Sequence, residues 1–356
     1  MKNNVYIPKS VVLELTYQCN LQCLFCSCPW EAKAVNAPGY DKGKELSFED
    51  WKKALDKLHL IGVKNVSISG GEALLKDCLI DLLDYIRYKN LYNKNECIVL
   101  ISNGLFMNED FLRAFKKYNV HLCLSLPGLT TYERHTGVDN ASGVLHWLSE
   151  AKKIGVTTTV NVTVTGINHD ELYETVANGL LAGADTVLLN RFLAGGRGLS
   201  YTKDLSLSRE QLNEMLDITE EILQLSNRIG SVGTEFPRCV IDDIGKYKRL
   251  KIGSLCAAAK SFFVIDPAGW VRACNHSPRK VGHVFNDPMI SDADYWNAFT
   301  NRAYIPAGCV TCKDVNYCDC GCRETASILY GDICAEDPCI GMAGQNRVLA
   351  LKGKVS

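Results

Sequence analysis

Three closely spaced cysteines directly after an apolar segment constrain this chain more than any other feature. Cys19, Cys23 and Cys26 follow the apolar run Val11–Leu13 with the spacing Cys-x3-Cys-x2-Cys. The run is typical of a strand, so the cysteines are expected at a strand's end. Three thiolates can hold three irons of a [4Fe–4S] cube and leave the fourth iron open for a ligand. A zinc site or a set of small buried side chains is the alternative at this spacing.

A second motif stands at the end of the next strand-like run, Val66–Ser69, where the chain continues as Gly70-Gly71-Glu72. Two glycines allow a backbone to approach a ligand closely, and the carboxylate of Glu72 is a suitable partner for an ammonium group. Gly-Gly-Glu alone is a weak signal. Its position about 45 residues after the cysteines, at a second strand end, makes it specific.

Strands and helices alternate along the first 230 residues, which predicts a mainly parallel α/β architecture. Ser47-x-x-Asp50 resembles a capping box at the start of the first helix. Both motifs fall at the carboxyl ends of strands, where parallel barrels carry their chemistry. The predicted strands are Val11–Leu15, Asn65–Ser69, Ile98–Ser102, His121–Leu126, Thr157–Val164 and Thr186–Leu189.

The cysteine spacing and the Gly-Gly-Glu motif resemble the radical S-adenosylmethionine (SAM) superfamily. In that family the amino and carboxylate groups of SAM chelate the open iron, and one electron cleaves the sulfonium. The product is a 5′-deoxyadenosyl radical that abstracts hydrogen. The resemblance therefore implies SAM and a [4Fe–4S] cluster as cofactors, and a partial (β/α)6 TIM-like barrel over residues 8–230.

The resemblance also implies which residues contact SAM. Phe25 takes the position near the adenine, Glu72 that near the ammonium, and Ser125 that near the carboxylate. Ordinary turn chemistry is the alternative for Ser125 and for Asn103. The full set of implied SAM-binding residues is Phe25, Gly70, Gly71, Glu72, Ser102, Asn103 and Ser125.

The C-terminal third carries a second cysteine system. Its pattern is Cys256-x12-Gly269-x4-Cys274, then Cys309-x2-Cys312-x5-Cys318-x3-Cys322, then Cys334 and Cys339. These spacings resemble a SPASM domain, which holds two auxiliary [4Fe–4S] clusters and brings the expected total to three. The small cysteine-rich SPASM domain is expected over residues 251–342, after a bridge at 231–250 and before a tail at 343–356.

Within the SPASM pattern the cysteines divide into two groups. The first auxiliary group is Cys256, Cys274 and Cys322, and the second auxiliary group is Cys309, Cys312, Cys318 and Cys339. The first has only three thiols, so its fourth iron is open to substrate or takes Cys320, Cys334 or a non-cysteine ligand. Zinc is the alternative metal for both groups. The cysteines expected to be isolated are Cys28, Cys78, Cys97, Cys123 and Cys239.

The composition and charge of the chain limit its expected partners and cellular compartment. A formal net charge of −1 gives no electrostatic reason to expect nucleic acid or an anionic membrane as a partner. The N-terminal segment lacks a signal-peptide core, and no apolar run is long enough to span a bilayer. Seventeen cysteines in a chain of 356 residues then favour metal or redox sites over a disulfide framework. We expect a cytoplasmic enzyme.

The leading functional hypothesis is a radical SAM/SPASM oxidoreductase that acts on a ribosomally made peptide and crosslinks or oxidises it. Because the first strand starts near residue 8, no leader-binding module of its own is expected. The expected partners are then a separate leader-binding protein and a reductant such as flavodoxin or ferredoxin.

Two other functions stay open on the sequence alone. The first is a small-molecule radical SAM dehydrogenase or carbon-skeleton enzyme. The second is a non-catalytic iron–sulfur electron carrier, which would have no need for Gly70-Gly71-Glu72. Sulfatase maturation is disfavoured, because Asn275 stands where those enzymes carry an aspartate base.

Overall fold

A computed structural model of the chain describes residues 5–28, 45–92 and 97–340. The strands are β1 (Ser10–Glu14), β2 (Asn65–Ser69), β3 (Ile98–Ser102), β4 (Val120–Ser125), β5 (Thr158–Val164), β6 (Thr186–Arg191), β7 (Ile229–Val232), β8 (Leu250–Lys251), β9 (Phe262–Ile265), β10 (Trp270–Arg272) and β11 (Gly282–His283). The helices are α1 (Phe48–Leu60), α2 (Leu79–Tyr88), α3 (Glu109–Lys117), α4 (Tyr132–Thr136), α5 (Ala141–Ile154), α6 (Leu172–Leu181), α7 (Thr202–Leu205), α8 (Arg209–Leu225), α9 (Ala293–Thr300) and α10 (Arg323–Tyr330).

All these strands belong to one sheet with the order β11-β10-β9-β1-β2-β3-β4-β5-β6-β7-β8. The pairings from β9 through β8 are parallel, and β10 and β11 are antiparallel additions at one edge. The six predicted strands are present as β1 to β6, with ends that differ by at most two residues. The predicted partial barrel is therefore confirmed.

Local sequence explains how the first crossover helix begins and which face it buries. Ser47 caps α1 by accepting a hydrogen bond from the Asp50 N–H at 3.2 Å, and the Asp50 side chain accepts from the Ser47 N–H in return. This is the predicted capping box. Trp51, Leu55 and Leu58 then recur at helical spacing and are fully buried against the sheet.

The sheet extends beyond the six predicted βα units on both sides. β7 and β8 continue it after β6, so the expected bridge at 231–250 largely connects two paired strands. On the other side β9 lies parallel to β1, with the register Ser10↔Phe262 to Leu13↔Ile265. The cysteine-rich domain thus shares the barrel's sheet. The predicted domain boundaries stay a prediction.

Two buried ion pairs join the barrel to the cysteine-rich domain. Arg272 at the end of β10 contacts Glu14 at the end of β1, and Asn275 donates to the other Glu14 carboxylate oxygen at 3.0 Å. Arg191 at the end of β6 pairs with Asp337 at 2.6 Å. Each side chain of both pairs is at most 4 % exposed. Removing one partner would therefore leave an uncompensated buried charge.

The described residues contain no helix that is long and apolar enough to cross a membrane. The predicted tail at 343–356 lies outside the described residues.

Arg272→Met tests the junction between β1 and β10. Because Glu14 would lose its buried counter-charge, we expect the free energy of unfolding to fall by about 3–5 kcal/mol. Urea unfolding followed by far-ultraviolet circular dichroism measures the change. The double variant Arg272→Met/Glu14→Gln should recover part of the loss. Arg113→Met, which removes two exposed ion pairs, should leave the free energy of unfolding nearly unchanged. Equal effects from Arg272→Met and Arg113→Met would contradict the claim that the Glu14–Arg272 pair stabilises the fold.

Candidate active site

The loop after β1 gathers the three cysteines of the first motif. Its backbone is held by hydrogen bonds to the α4 segment, from the Gln22 N–H to the Thr136 carbonyl at 3.0 Å and from the Leu24 N–H to the His135 carbonyl at 2.8 Å. Burial raises the pKa of the Cys23 thiol, and the nearby charges of Cys26 and Cys19 raise it further. The three thiols therefore face one another across a small, partly desolvated space.

The two glycines of Gly70-Gly71-Glu72 pack against this cysteine loop. A Cβ on Gly70 would lie 2.5 Å from the Thr16 carbonyl oxygen, and one on Gly71 only 2.3 Å from that of Gln18. The Gly71 N–H donates to the Thr16 carbonyl at 2.7 Å. Any side chain here would push the loop away, since real Cβ atoms do not approach a carbonyl so closely. The glycines thus position the cysteines in addition to lining the pocket.

Glu72 lies behind the pocket wall, with 1 % of its surface exposed. Its carboxylate accepts hydrogen bonds from the Ser102 hydroxyl at 2.9 Å, the Asn103 N–H at 2.8 Å and the Leu74 N–H at 3.0 Å. Burial raises its pKa, and these donors oppose that rise. The described contacts of Glu72 therefore tie the ends of β2 and β3 together. Its contact with the SAM ammonium stays a prediction.

A pocket of about 770 Å³, its open mouth included, lies in front of the three cysteines, and we call it the SAM pocket after the cofactor predicted to bind there. The predicted SAM residues on its wall are Phe25, Gly70, Gly71, Ser102, Asn103 and Ser125. Its other lining residues include Cys28, Pro127, Tyr132, Thr136 and Arg197, which the sequence did not single out as SAM contacts. Six of the seven predicted residues are thus brought together at one place.

The glycine-rich loop after β6 closes the other side of the cysteine loop. Arg197 donates to the Cys23 carbonyl at 3.1 Å, and the Gly198 N–H donates to the Cys26 carbonyl at 3.2 Å. Gly196 has φ +50°, and a Cβ there would lie 2.5 Å from the Cys28 carbonyl oxygen. The loop that carries Cys19, Cys23 and Cys26 therefore lies between two glycine-containing segments, one at Gly70-Gly71 and one after β6. This donor set and cradle fit a [4Fe–4S] cluster bound by three thiolates.

A second cavity, of about 1500 Å³ with its open part, adjoins the SAM pocket. The two share wall residues, among them Phe25, Cys26 and Gly70. The second cavity reaches the three thiols of the first auxiliary group, and barrel side chains such as Asn161 and Asn190 give it a polar wall. A substrate in this cavity would lie between the SAM pocket and the first auxiliary group.

Buried carboxylates hold the backbone of the auxiliary cysteines. Asp319 accepts from the Cys256 N–H at 2.7 Å, and Asp337 accepts from the Cys322 N–H at 2.7 Å and the Cys339 N–H at 3.0 Å. Asp337 therefore connects one cysteine of each auxiliary group. Asp337 also forms an ion pair with Arg191, so this pair fixes Cys322 and Cys339 to the end of β6.

The second auxiliary group includes cysteines that the sequence had set apart. The Cys320 N–H donates to the Cys318 sulfur at 3.3 Å, so Cys320 lies with this group. The N–H of Arg238, the residue before Cys239, donates to the Cys318 sulfur at 3.4 Å. Cys239 was expected to be isolated, but the segment after β7 that carries it lies against this group.

Cys28 is not isolated either. It lines the SAM pocket, and its thiol lies 3.8 Å from the Gly70 carbonyl oxygen.

Among the described residues, no three His, Cys, Asp or Glu side chains converge closely enough to hold one metal ion. The kind and number of auxiliary clusters stay predictions.

The family pattern described as the radical SAM superfamily matches residues 13–178, which span the cysteine loop, the Gly-Gly-Glu motif and the strands to β5. Residues 13–178 thus form a radical SAM domain. The chain is therefore a radical SAM enzyme, and this domain implies SAM and a [4Fe–4S] cluster as its cofactors.

Curated relatives match along nearly the whole chain. The PqqA peptide cyclase of Bradyrhizobium diazoefficiens is 26% identical over 352 residues, which cover 95% of this chain and 87% of the relative. That of Xanthomonas campestris pv. campestris is 27% identical over 348 residues, covering 93% and 86%. The similarity thus includes the cysteine-rich third.

Two solved structures show the same fold. Streptococcus suis SuiB bound to S-adenosylmethionine superposes with a TM-score of 0.66 at 17% identity, covering 94% of this chain and 77% of SuiB. anSMEcpe with bound AdoMet and Cp18Cys peptide gives 0.70 at 17% identity, covering 98% and 99%. Both likenesses span the partial barrel and the small cysteine-rich domain together.

Gly71→Ala tests the contact between the Gly-Gly-Glu motif and the cysteine loop. The added methyl group would meet the Gln18 carbonyl, so we expect loss of about four irons per reconstituted chain, the content of one [4Fe–4S] cluster. Iron and acid-labile sulfide analysis measures this. Gly253→Ala is the matched control, because nothing lies within 4 Å of its added Cβ. Full iron content in Gly71→Ala would show that the contact is dispensable.

Glu72→Ala separates a positioning role from direct SAM binding. Three buried or partly buried donors would lose their acceptor, so we expect the free energy of unfolding to fall by at least about 1–3 kcal/mol. Ser125→Ala, on the pocket wall, should leave unfolding unchanged. Urea unfolding and SAM binding are measured on both variants. Wild-type unfolding of Glu72→Ala with a weakened SAM affinity would instead favour direct contact with the ammonium.

Proposed function

We propose that this chain modifies a ribosomally made peptide by radical SAM chemistry, removing two hydrogens to form a crosslink or an unsaturation. The observation that supports this most is that the SAM pocket and the large cavity share a wall, and that the large cavity reaches the first auxiliary group. A substrate held there is close to both redox centres. The names of the relatives, PqqA peptide cyclases, favour a peptide as that substrate.

In this proposal Cys19, Cys23 and Cys26 hold the catalytic cluster, and the pocket wall binds SAM in front of it. When bound, the cluster supplies the electron that cleaves the SAM sulfonium to methionine and a 5′-deoxyadenosyl radical. The protein's own part is to orient SAM and exclude water from the pocket. Phe25 stands on the wall shared by the two cavities, so SAM and substrate meet beside its ring.

The overall reaction balances as a two-electron oxidation of the peptide. One hydrogen atom leaves a carbon–hydrogen bond and forms 5′-deoxyadenosine. A second hydrogen then leaves as a proton, its electron passes to an oxidant, and the new bond forms in the peptide. A cluster held by Cys256, Cys274 and Cys322 would supply that oxidant. The electron that began SAM cleavage is thereby matched by one recovered from the substrate.

The polar side chains of the large cavity suit a peptide backbone. Asn190 donates to Asn161 at 2.8 Å, so two barrel strands carry a pair of amides, and Thr163 adds a hydroxyl. Amides and hydroxyls pair with peptide N–H and carbonyl groups without a fixed charge. A small polar metabolite is the second candidate substrate for the same wall.

Two auxiliary [4Fe–4S] clusters, a separate leader-binding protein and a flavodoxin or ferredoxin reductant belong to the same proposal. The first and second auxiliary groups of cysteines in the C-terminal third support the proposal of two clusters. A cytoplasmic setting is also part of the proposal, because seventeen cysteines in a chain of 356 residues favour metal or redox sites over a disulfide framework.

The proposal is tested by anaerobic assay with SAM, dithionite and the short peptide encoded beside this chain. We expect 5′-deoxyadenosine together with a peptide lighter by about two hydrogens. The triple variant Cys19→Ala/Cys23→Ala/Cys26→Ala should form neither and should keep about eight irons, the content of two [4Fe–4S] clusters.

Two results would contradict the proposal. An unchanged peptide mass while a small metabolite is consumed would make the second candidate substrate correct. Cluster reduction without any 5′-deoxyadenosine in the unaltered chain would indicate an electron carrier.

A further inference from the structure

We propose that Asp337 and Arg191 form one buried charge pair that sets the reduction potentials of both auxiliary clusters together. Because it requires a cluster at each auxiliary group, this role rests on the proposed function. It does not depend on which substrate the enzyme oxidises.

The Asp337 carboxylate contacts the backbone of both auxiliary groups. Its Oδ2 accepts from the N–H of Cys322, in the first group, at 2.7 Å, and its Oδ1 accepts from the N–H of Cys339, in the second group, at 3.0 Å. Asp337 is fully buried, so solvent screens its charge very little. One negative charge therefore lies within hydrogen-bond distance of a proposed ligand of each cluster.

The backbone before Cys322 leaves room for this carboxylate. Gly321 has φ +83°, and a Cβ there would lie 2.3 Å from the Asp337 Oδ2. A residue with a side chain at this position would push the carboxylate away. The close approach of Asp337 to Cys322 thus depends on a glycine.

Arg191 brings the matching positive charge to the same place. Its Nη2 donates to the Asp337 Oδ2 at 2.6 Å, and its Nη1 donates to the Oδ1 at 3.3 Å. Arg191 lines the large cavity, whose wall includes Cys322, and also a third cavity of about 800 Å³ with its open part, whose wall includes Cys339. The cation therefore shares a wall with one cysteine of each group, as the carboxylate shares a hydrogen bond with each.

The other buried carboxylate of this domain is placed differently. Asp319 accepts from the N–H of Cys256, in the first auxiliary group, and pairs with Lys260 and Arg302, each at 2.6 Å. Among the described residues, Asp337 is the only carboxylate that accepts hydrogen bonds from cysteine N–H groups of both auxiliary groups.

A charge shared in this way acts on both clusters in the same direction. Reduction adds negative charge to an iron–sulfur cluster, and nearby charge is one of the factors that set its potential. A buried carboxylate therefore opposes reduction, and a buried guanidinium favours it. Removing either partner should shift both potentials with the same sign, and the two partners should give opposite signs.

The test uses the full chain carrying Cys19→Ala/Cys23→Ala/Cys26→Ala, so that only the auxiliary clusters remain. After anaerobic reconstitution, a redox titration followed by electron paramagnetic resonance gives the midpoint potential of each cluster. Iron content and circular dichroism are recorded on the same samples, and about eight irons per chain are expected.

Asp337→Asn keeps an oxygen acceptor but removes the charge, so we expect both midpoint potentials to move to more positive values. Arg191→Gln leaves the carboxylate unpaired, so both should move to more negative values. Arg191→Lys retains the cation and should return both potentials toward those of the background. Asp332→Asn is the matched control: Asp332 accepts at 2.8 Å from the N–H of Cys334, which belongs to neither auxiliary group. Neither potential should move in this control.

A shift in one midpoint potential alone would overturn the proposal, as would shifts of the same sign from Asp337→Asn and Arg191→Gln or an equal shift in Asp332→Asn. Loss of iron from both Asp337→Asn and Arg191→Gln would also overturn it, by showing that the pair only supports the fold. If one of these two variants alone loses iron, the sign of the shift in the other decides. If the background itself holds no auxiliary cluster, the cluster assignment in the proposed function fails instead.

Discussion

The position of β1 between β2 and β9 is the constraint on which the rest of the molecule depends. Both pairings are parallel, so the carboxyl end of β1 faces the SAM pocket and the cysteine-rich domain at once. The cysteine loop follows directly from this end, and Glu14 pairs there with Arg272. One short strand therefore fixes Cys19, Cys23 and Cys26 relative to the cysteines of the C-terminal third.

Backbone contact between neighbouring strand ends shapes the cluster site. Gly70, Gly71 and Gly196 each bring a backbone within a distance of the cysteine loop that no side chain would allow. Such contacts leave little freedom for the three thiols. In the cysteine-rich domain, Asp319 and Asp337 hold the cysteine backbone in place, because their buried carboxylates accept hydrogen bonds from cysteine N–H groups. Lys260 and Arg191 form ion pairs with these two carboxylates.

Much of the barrel could be predicted from the sequence, because strand and helix periodicities and the Ser47 cap act locally. The SAM pocket was also predictable, since its motifs sit at successive strand ends. The pairing of β9 with β1, the burial of Glu72 and the contact of the segment around Cys239 with Cys318 were not. Each depends on contacts between segments far apart in the chain, for which no spacing rule exists.

Two adjoining cavities reach from the cysteine loop after β1 to the first auxiliary group, where we propose that two iron–sulfur clusters bind. Anomalous diffraction above and below the iron K edge, on crystals of the anaerobically reconstituted protein, tests this arrangement most directly. We expect one iron centre at Cys19, Cys23 and Cys26, a second at Cys256, Cys274 and Cys322, and open space between them. A zinc signal at the second position, or an iron centre at the first position alone, would contradict it.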